Sequence, residues 1–272
     1  MKIPMKKAAL LLLLCCSSLS ANQENQDTLA KSGALNSSKT PLFGAEVYSN
    51  DKVLYGKFVV RMKLVSEPGV VSSFFTYDNE SWQGNGIPWS EIDFEAIGKT
   101  PQQLQTNLIT GKLNKRKHSE KNHNVPQLEE FVEYAITWTP DDIIWQVDGE
   151  TIRHDTAERS KQVVAMRDIP QSYRMNIWIS EAVGWVGRFD AASLPLHQVV
   201  DWMEYYEYQD NGDFSLAWRD DFNTFNDKRW GKGDWGFESN LVTFSPDNAA
   251  IVDGHLVLSL SAKGMNIDYS AK

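Results

Sequence analysis

Hydrophobic and polar residues alternate with a period of two in short runs along most of the chain, which is the pattern of β-strands with one buried face. In residues 58–64, every second residue is large and apolar, and Arg61 and Lys63 stand between them. Residues 70–77 are a continuous run of good strand formers, and no stretch after residue 42 shows convincing helical periodicity. Further strands are predicted over residues 134–138, 143–147, 174–179, 199–208 and 256–261.

Turn signals separate these runs. Asp148-Gly149 and Asp253-Gly254 are residue pairs that tolerate the positive φ angles of tight hairpins. Many short strands with regular turn signals predict an all-β domain, either a β-sandwich or a barrel.

The N-terminus has three lysines in its first seven residues, an apolar run over residues 8–16 and small residues up to residue 21. This pattern predicts a signal peptide over residues 1–21 and a secreted protein, extracellular or periplasmic. The apolar run is too short for a membrane anchor, which needs about 20 residues. Both cysteines, Cys15 and Cys16, lie inside it, so the mature chain is expected to have no disulfide or thiolate site. Lipidation of a cysteine is a minor alternative, because Leu14 stands where a small residue is usual.

Residues 22–41 are polar and predict a flexible linker, and residues 42–272 are expected to form one domain. The net charge of −9 argues against nucleic acid as a partner and fits a neutral substrate. The chain has 10 Trp, 9 Tyr and 12 Phe, and aromatic rings of this kind stack on sugars as well as filling cores.

Three carboxylates share one face of a predicted strand. Glu91, Asp93 and Glu95 alternate with residues that include Ile92 and Phe94, so the acids point one way and the apolar residues point into the core. Crowded carboxylates push their pKa values apart, so that one stays ionised while another keeps a proton. Glycoside hydrolysis needs one ionised and one protonated carboxyl group. The pentapeptide alone is a weak signal for this function, because many strands with the same pattern are merely solvated faces.

The flanking residues make the motif specific. The run 69–77 precedes it, Pro88-Trp89 stands directly before it and Gly98-Lys99 follows. From about residue 43 to residue 260, the chain resembles the bacterial licheninases, the endo-1,3-1,4-β-glucanases of glycoside hydrolase family 16. Related laminarinases and agarases usually carry one extra residue between the aspartate and the second glutamate, and this chain lacks it.

The resemblance implies a jelly-roll β-sandwich of two antiparallel sheets with a concave substrate cleft. It also implies that Glu91 is the nucleophile, Glu95 the general acid/base and Asp93 the carboxylate that tunes both, with retention of configuration. Retention requires the two carboxyl groups to lie about 5–5.5 Å apart. Since four residues of strand separate the Cα atoms by about 13 Å, the side chains must lean toward each other over Asp93.

The order of segments is unusual for that family. Residues 218–222, 230–235 and 256–260 resemble the start of an ordinary licheninase, yet here they follow the final strand, residues 199–208. The chain therefore resembles a circularly permuted licheninase, joined at residues 209–213. The alternative is a separate C-terminal domain, for which about 60 residues without cysteines give a marginal core.

The resemblance further nominates groove residues on the strands and loops around the acids. Aromatic residues at such positions more often pack in the core, whereas polar residues within strands indicate a groove. The nominated residues are Phe75, Tyr77, Asn79, Trp89, Gln105, Asn107, Glu120, Arg174, Asn176, Trp178, Trp185, Trp235 and Glu238.

A structural calcium is also implied, held by Asp201, Asp221 and the backbone of Gly254. Oxygen ligands suit calcium, and the alternative is two ordinary surface aspartates. No cofactor is expected for catalysis.

The expected partner is a β-glucan polysaccharide, bound by a monomer with no nucleic acid and no membrane after signal cleavage. The main hypothesis is hydrolysis of mixed-linkage 1,3-1,4-β-D-glucan. The alternatives are a hydrolase of the same family acting on 1,3-β-glucan or xyloglucan, and a glucan-binding lectin without catalysis. The intact pair Glu91 and Glu95 disfavours the lectin.

Overall fold

The computed structural model describes residues 40–269, and the predicted signal peptide and nearly all of the predicted linker lie outside the described residues. The described part contains seventeen β-strands and two short helices. The strands are β1 Leu42–Ser49, β2 Gly56–Lys63, β3 Val70–Tyr77, β4 Trp89–Ile97, β5 Gln103–Lys112, β6 Lys115–His118, β7 Lys121–Asn124, β8 Val132–Trp138, β9 Asp142–Val147, β10 Glu150–Thr156, β11 Ser172–Ile179, β12 Leu196–Tyr208, β13 Phe214–Asp220, β14 Trp230–Lys232, β15 Thr243–Phe244, β16 Ala249–Val252 and β17 His255–Ala262; the helices are α1 Lys161–Ala165 and α2 Val183–Val186.

The all-β prediction is confirmed, and each predicted run lies within a strand apart from Leu64, which follows β2. The two helices have five and four residues, too few to leave a helical period in the sequence. The predicted hairpin turns have the expected backbone, with φ of 48° at Asp148 and 50° at Asp253. No helix in residues 40–269 is long and apolar enough to cross a membrane.

The strands form two packed layers. The sheet for which a substrate groove is predicted, called the groove sheet, runs in the order β14, β1, β11, β3, β4, β5, with β6 and β7 both paired to β5. The outer sheet runs in the order β10, β9, β8, β2, β12, β17, β16, with β13 also paired to β12. The pairings are antiparallel except that of β1 with β15, and β1 also pairs with β17, which links the layers.

The core lies between the two layers. Phe58 of β2 contacts Phe74 of β3 with ring centroids 6.3 Å apart, and Phe94 of β4 contacts Tyr134 of β8 at 5.5 Å. All four rings are fully buried. Each large aromatic ring buries roughly 150–250 Å², so these contacts fix the distance and angle between the layers.

The last strands of the chain belong to these same layers. β13 and β17 pair with β12, and β14 and β17 pair with β1. Residues 209–213 form a hairpin turn in which the Gln209 amide donates to the Asp213 carbonyl at 2.9 Å. At the other end, Ala262 stands opposite Leu42, and the Lys263 amide donates to the Pro41 carbonyl at 2.9 Å. The two ends of the sandwich are therefore neighbours.

Candidate active site

The acidic strand β4 lies in the middle of the groove sheet, between β3 and β5. Its register with both neighbours is continuous over residues 89–97, so no bulge interrupts this described strand. Because alternate residues share a face, the acids stand in three rows that cross the strands. The rows are Tyr77, Glu91 and Ile109; Arg174, Phe75, Asp93 and Asn107; and Asn176, Ser73, Glu95 and Gln105.

The three carboxylates differ in their surroundings. Asp93 is 2% exposed, and its Oδ2 has no hydrogen-bond partner among residues 40–269. Glu91 accepts a hydrogen bond from Trp89 Nε1 at 2.5 Å. From the core side, Trp145 Nε1 donates to the Asp93 backbone carbonyl at 3.0 Å and holds the middle of the strand in place.

Burial raises the pKa of all three groups. It raises the pKa of Glu91 to about 7, against the opposing effects of the Trp89 hydrogen bond and the Arg116 charge. Burial and then the charges of Glu91 and Glu120 raise the pKa of Glu95 to about 8. Burial and the charges of its two neighbours hold the pKa of Asp93 well above its usual range.

The raised pKa values bring both glutamates into the range in which one can hold a proton while the other is ionised near neutral pH. Burial and the charge of Glu91 favour the protonated form of Asp93, which lies between them. One ionised and one protonated carboxyl group on the same face is the pair that glycoside hydrolysis uses.

Three of the nominated aromatic residues, Phe75, Tyr77 and Trp89, lie beside the acids on β3 and β4. Phe75 and Tyr77 stand in the rows of Asp93 and Glu91, and both are nearly buried. The Tyr77 and Trp89 rings are 4.9 Å apart, so Trp89 packs beside the Glu91 end of the groove. Asn79 follows β3 in a left-handed conformation with φ of 62°, outside the strand rows.

Polar side chains line the β5 side of the acids. Gln105 Oε1 accepts from Trp185 Nε1 at 3.3 Å, and Gln105 Nε2 donates to Asn122 Oδ1 at 3.1 Å. Asn107 Oδ1 accepts from the Ser119 amide at 3.0 Å. Glu120 is exposed in the connection between β6 and β7, close enough for its charge to raise the pKa of Glu95.

On the β11 side, Arg174 and Asn176 converge on a residue that the sequence analysis missed. Arg174 Nη1 donates to Glu46 Oε1 at 2.5 Å, and Asn176 Nδ2 donates to Glu46 Oε2 at 3.0 Å. Asn176 Oδ1 in turn accepts from the Ser73 hydroxyl at 2.6 Å. Glu46 is 4% exposed, and burial raises its pKa despite the arginine. The sequence signal that could have identified Glu46 is a single acidic residue in an otherwise apolar strand.

The remaining nominated residues lie toward the flanks. Trp178 is 6.2 Å from Trp185 between ring centroids, and Trp235 is 5.3 Å from Tyr48. Glu238 is exposed, and no hydrogen bond or ion pair connects it to the groove within the described chain.

Two further neighbours of Glu91 were also missed. The Arg116 guanidinium lies 4.5 Å from the Trp89 ring and lowers the pKa of Glu91, whereas the Asp78 carboxylate raises it. Asp78 lies in the connection between β3 and β4, and Arg116 lies on β6. Their approach to Glu91 depends on strand register, so no sequence pattern marks them.

The predicted calcium ligands surround a gap at one edge of β12. There, β17 ends its pairing at Val200 and β13 begins at Met203. Asp201 pairs with Arg61 and lies 3.8 Å from His255 Nε2, next to Gly254. The Asp221 carboxylate pairs instead with Arg219 Nε at 2.7 Å. No group of three or more acidic, histidine or cysteine side chains in residues 40–269 is arranged to hold a metal ion. Both predicted carboxylate ligands thus pair with arginines, and calcium at this position stays a prediction.

Comparisons with known proteins agree with this architecture. Residues 17–204 match the family Glycosyl hydrolases family 16. A beta-glucanase of Fibrobacter succinogenes is 42% identical over 228 residues, which cover 81% of this chain and 64% of the relative. A beta-glucanase of Brevibacillus brevis is 37% identical over 165 residues, 60% of each chain. The chain thus spans less than two thirds of the length of these curated relatives.

Among solved structures, a laminarinase from Flavobacterium sp. UMI-01 has a TM-score of 0.50 at 21% identity, covering 60% of this chain and 78% of that one. The Bacillus licheniformis beta-glucanase has a TM-score of 0.49 at 30% identity, covering 59% and 70%. The laminarinase supports the sandwich fold. The family match over more than half of the sequence decides the assignment: the chain belongs to glycosyl hydrolases family 16.

Proposed function

We propose that the protein is an endo-acting glycoside hydrolase that cleaves mixed-linkage 1,3-1,4-β-D-glucan with retention of configuration. One observation supports this most strongly: Glu91 and Glu95 share a face of β4, and their pKa values are raised to about 7 and about 8. The relatives named beta-glucanases support the substrate class.

In this proposal, ionised Glu91 attacks the anomeric carbon while protonated Glu95 gives its proton to the departing glycosidic oxygen. The bond from carbon to the leaving sugar breaks as the bond to Glu91 forms. Glu95 then takes a proton from water, whose oxygen displaces Glu91 and restores both groups. The raised pKa of Asp93 favours its protonated form, which limits the negative charge beside Glu91.

The surroundings of the acids suit an internal stretch of polysaccharide. The rows cross the strands from β11 to β5, with amide and guanidinium groups on both sides of the acids. Sugar hydroxyls can pair with such groups, and the partly exposed Trp89 ring offers a stacking face near Glu91.

The test is an assay of reducing ends released from lichenan, laminarin, carboxymethylcellulose and xyloglucan. We expect lichenan to be cut fastest and into oligosaccharides. The anomers formed in the first minutes, followed by proton NMR, are expected to be β. Faster cleavage of laminarin or xyloglucan would show that the preferred substrate is that glucan and not the mixed-linkage one. An α-anomer as the first product would contradict retention.

We further propose that the chain is exported as a monomer with calcium in the gap beside β12. The charged and apolar N-terminal pattern supports export, and the position of Asp201 next to the Gly254 turn supports the metal. Fractionation of expressing cells, with N-terminal sequencing of the exported chain, tests cleavage near residue 21.

A further inference from the structure

Trp82 is the exception among the tryptophans. All ten lie within the described residues, and nine are buried or partly buried, whereas Trp82 is 60% exposed. No large hydrophobic side chain in residues 40–269 has a larger exposed fraction. A single exposed apolar residue indicates no function by itself. Whether Trp82 has a binding role therefore depends on how its ring is held.

The loop that carries Trp82 is fixed at both ends by one buried carboxylate. Asp78 is 1% exposed and accepts hydrogen bonds from the amides of Glu80 at 2.8 Å and Ser81 at 2.7 Å. Its other oxygen accepts from the Ser90 amide at 2.9 Å, across the loop. Burying a charge costs free energy unless donors satisfy it, and here three amides and the Ser81 hydroxyl do so. The loop between β3 and β4 is therefore preorganised.

The ring itself is oriented as well. Trp82 Nε1 donates to the Asn79 carbonyl at 3.2 Å, so the indole is tied to its own loop while most of its surface faces solvent. The preceding residue, Ser81, contacts the Tyr77 hydroxyl at 3.1 Å. Tyr77 stands directly opposite Glu91, which places the loop at the Glu91 side of the groove.

A second hairpin meets this loop. A Cβ built on Gly84 would lie 4.0 Å from Leu113 Cδ2, so the turn between β5 and β6 approaches the Trp82 loop. Leu113 is 42% exposed. The Glu91 side of the groove thus carries two exposed apolar side chains, one from each hairpin.

We propose that Trp82 is a further glucan-binding position, on which a glucose ring of the bound chain stacks at the Glu91 side of the groove. The apolar C–H face of a β-glucose ring matches a flat indole. An indole already held by its loop loses little conformational freedom on binding, so most of the contact contributes to affinity. This inference rests on the proposed function, because it assigns a new contact for the same polysaccharide.

Trp82→Ala tests the position, with Trp82→Phe to restore a ring and Leu216→Ala as a matched control. Leu216 is 53% exposed on β13, in the outer sheet. We expect Trp82→Ala to raise KM for lichenan about three- to tenfold, as the loss of one aromatic contact does, with kcat within about twofold. Trp82→Phe is expected to recover most of the loss, and Leu216→Ala to leave KM unchanged.

Calorimetric titration of lichenan oligosaccharides into Glu91→Ala protein, with and without Trp82→Ala, measures binding without turnover. A dissociation constant raised by the same factor supports the position. An unchanged KM and dissociation constant in Trp82→Ala, or an equal change in Leu216→Ala, overturns it. If the parent protein cuts none of the four polymers, the proposed function fails separately, and the titration alone then decides whether Trp82 binds glucan.

Discussion

At the scale of single residues, the site depends on burial of like charges. Asp93 is enclosed with one oxygen unpartnered within the described chain, and its pKa is held well above its usual range. Burial also raises the pKa values of Glu91 and Glu95, but their neighbours differ: Glu91 has the Trp89 hydrogen bond and the Arg116 charge, and Glu95 faces Glu120. The local environment therefore separates two residues of identical chemistry.

We expect Glu91→Ala to reduce lichenan hydrolysis by at least about a thousandfold, because the group that forms the covalent bond is lost. Added azide is expected to restore part of the rate and to give an α-glycosyl azide, since a small anion fits the space that the carboxylate vacates. Product NMR identifies the azide. A variant that keeps more than a few per cent of the parent rate would falsify the assignment of Glu91.

The free energy of unfolding is expected to fall as the pH rises from about 4.5 to about 8. In that window the folded chain holds protons on Glu91 and Glu95 that the unfolded chain has released, because both pKa values are raised on folding. We expect Glu95→Gln to stabilise the protein at pH 8 by on the order of 1–3 kcal/mol and to have little effect at pH 4. Urea unfolding at both pH values measures this, and equal effects at the two would contradict the raised pKa.

At the scale of the elements, the groove floor is held by a buried ion pair between strands. Glu46 of β1 and Arg174 of β11 lie in adjacent strands and are 4–5% exposed as side chains. Asn176, two residues along β11, accepts from Ser73 of β3 and donates to Glu46, so the network ties three strands together. Such a network fixes strand register as well as side-chain position.

We expect Arg174→Met to lower the free energy of unfolding by about 3 kcal/mol or more, because Glu46 is then left buried without its cation. The double variant Arg174→Met, Glu46→Leu is expected to recover most of that loss. Arg219→Met is the control, since Arg219 pairs with Glu204 at a partly exposed site and its removal is expected to cost about 1 kcal/mol or less. Equal losses for the two single variants would contradict a buried pair.

At the scale of the whole molecule, the first and last long strands of the described sandwich are paired. The described sandwich begins at a strand that pairs with its last long strand, Leu42 opposite Ala262, and the joint at residues 209–213 is a hairpin turn. Neighbouring ends are the condition under which a chain can be reopened elsewhere. This supports the proposal that the sequence is a permuted form of the family pattern.

Calcium is expected to raise the melting temperature without changing the products formed. A metal bound only by the folded state stabilises it by about 2.7 kcal/mol at a hundredfold excess over its dissociation constant. We expect a chelator to lower the melting temperature and Asp201→Ala to abolish the difference. Scanning calorimetry with calcium and with chelator measures it, and identical melting curves for the parent protein would exclude the site.

Deletion of everything after residue 210 is expected to give an insoluble, inactive chain. The deleted part includes β13–β17, which pair with β1 and β12, and buried residues such as Trp230 and Phe244. Loss of these strands exposes unpaired edges and apolar faces. Solubility and lichenan hydrolysis of residues 42–210 are the measurements, and a soluble, active fragment would contradict the prediction.

The converse rearrangement is the matched control for that deletion. Placing residues 214–262 ahead of Leu42 through a short glycine-rich joint keeps every strand and restores the ordinary order of segments. Because Ala262 already stands opposite Leu42, we expect a folded and active protein.

The sequence alone determined the all-β class, many of the core strands and the face shared by Glu91, Asp93 and Glu95. These follow from a period of two, which is a local property of the backbone and needs no knowledge of the fold. The groove residues on β3, β5 and β11 could be nominated from the family resemblance, and their alternation along each strand agrees with the observed rows.

Only the tertiary structure decided which strands lie side by side and what surrounds the acids. Glu46 lies 128 residues from Arg174 in the chain, and Arg116 and Asp78 reach Glu91 from different hairpins. The pKa values of Glu91 and Glu95 likewise depend on burial and on charges brought close by register. These quantities are set by distances through space, which strand pairing fixes and local sequence does not encode.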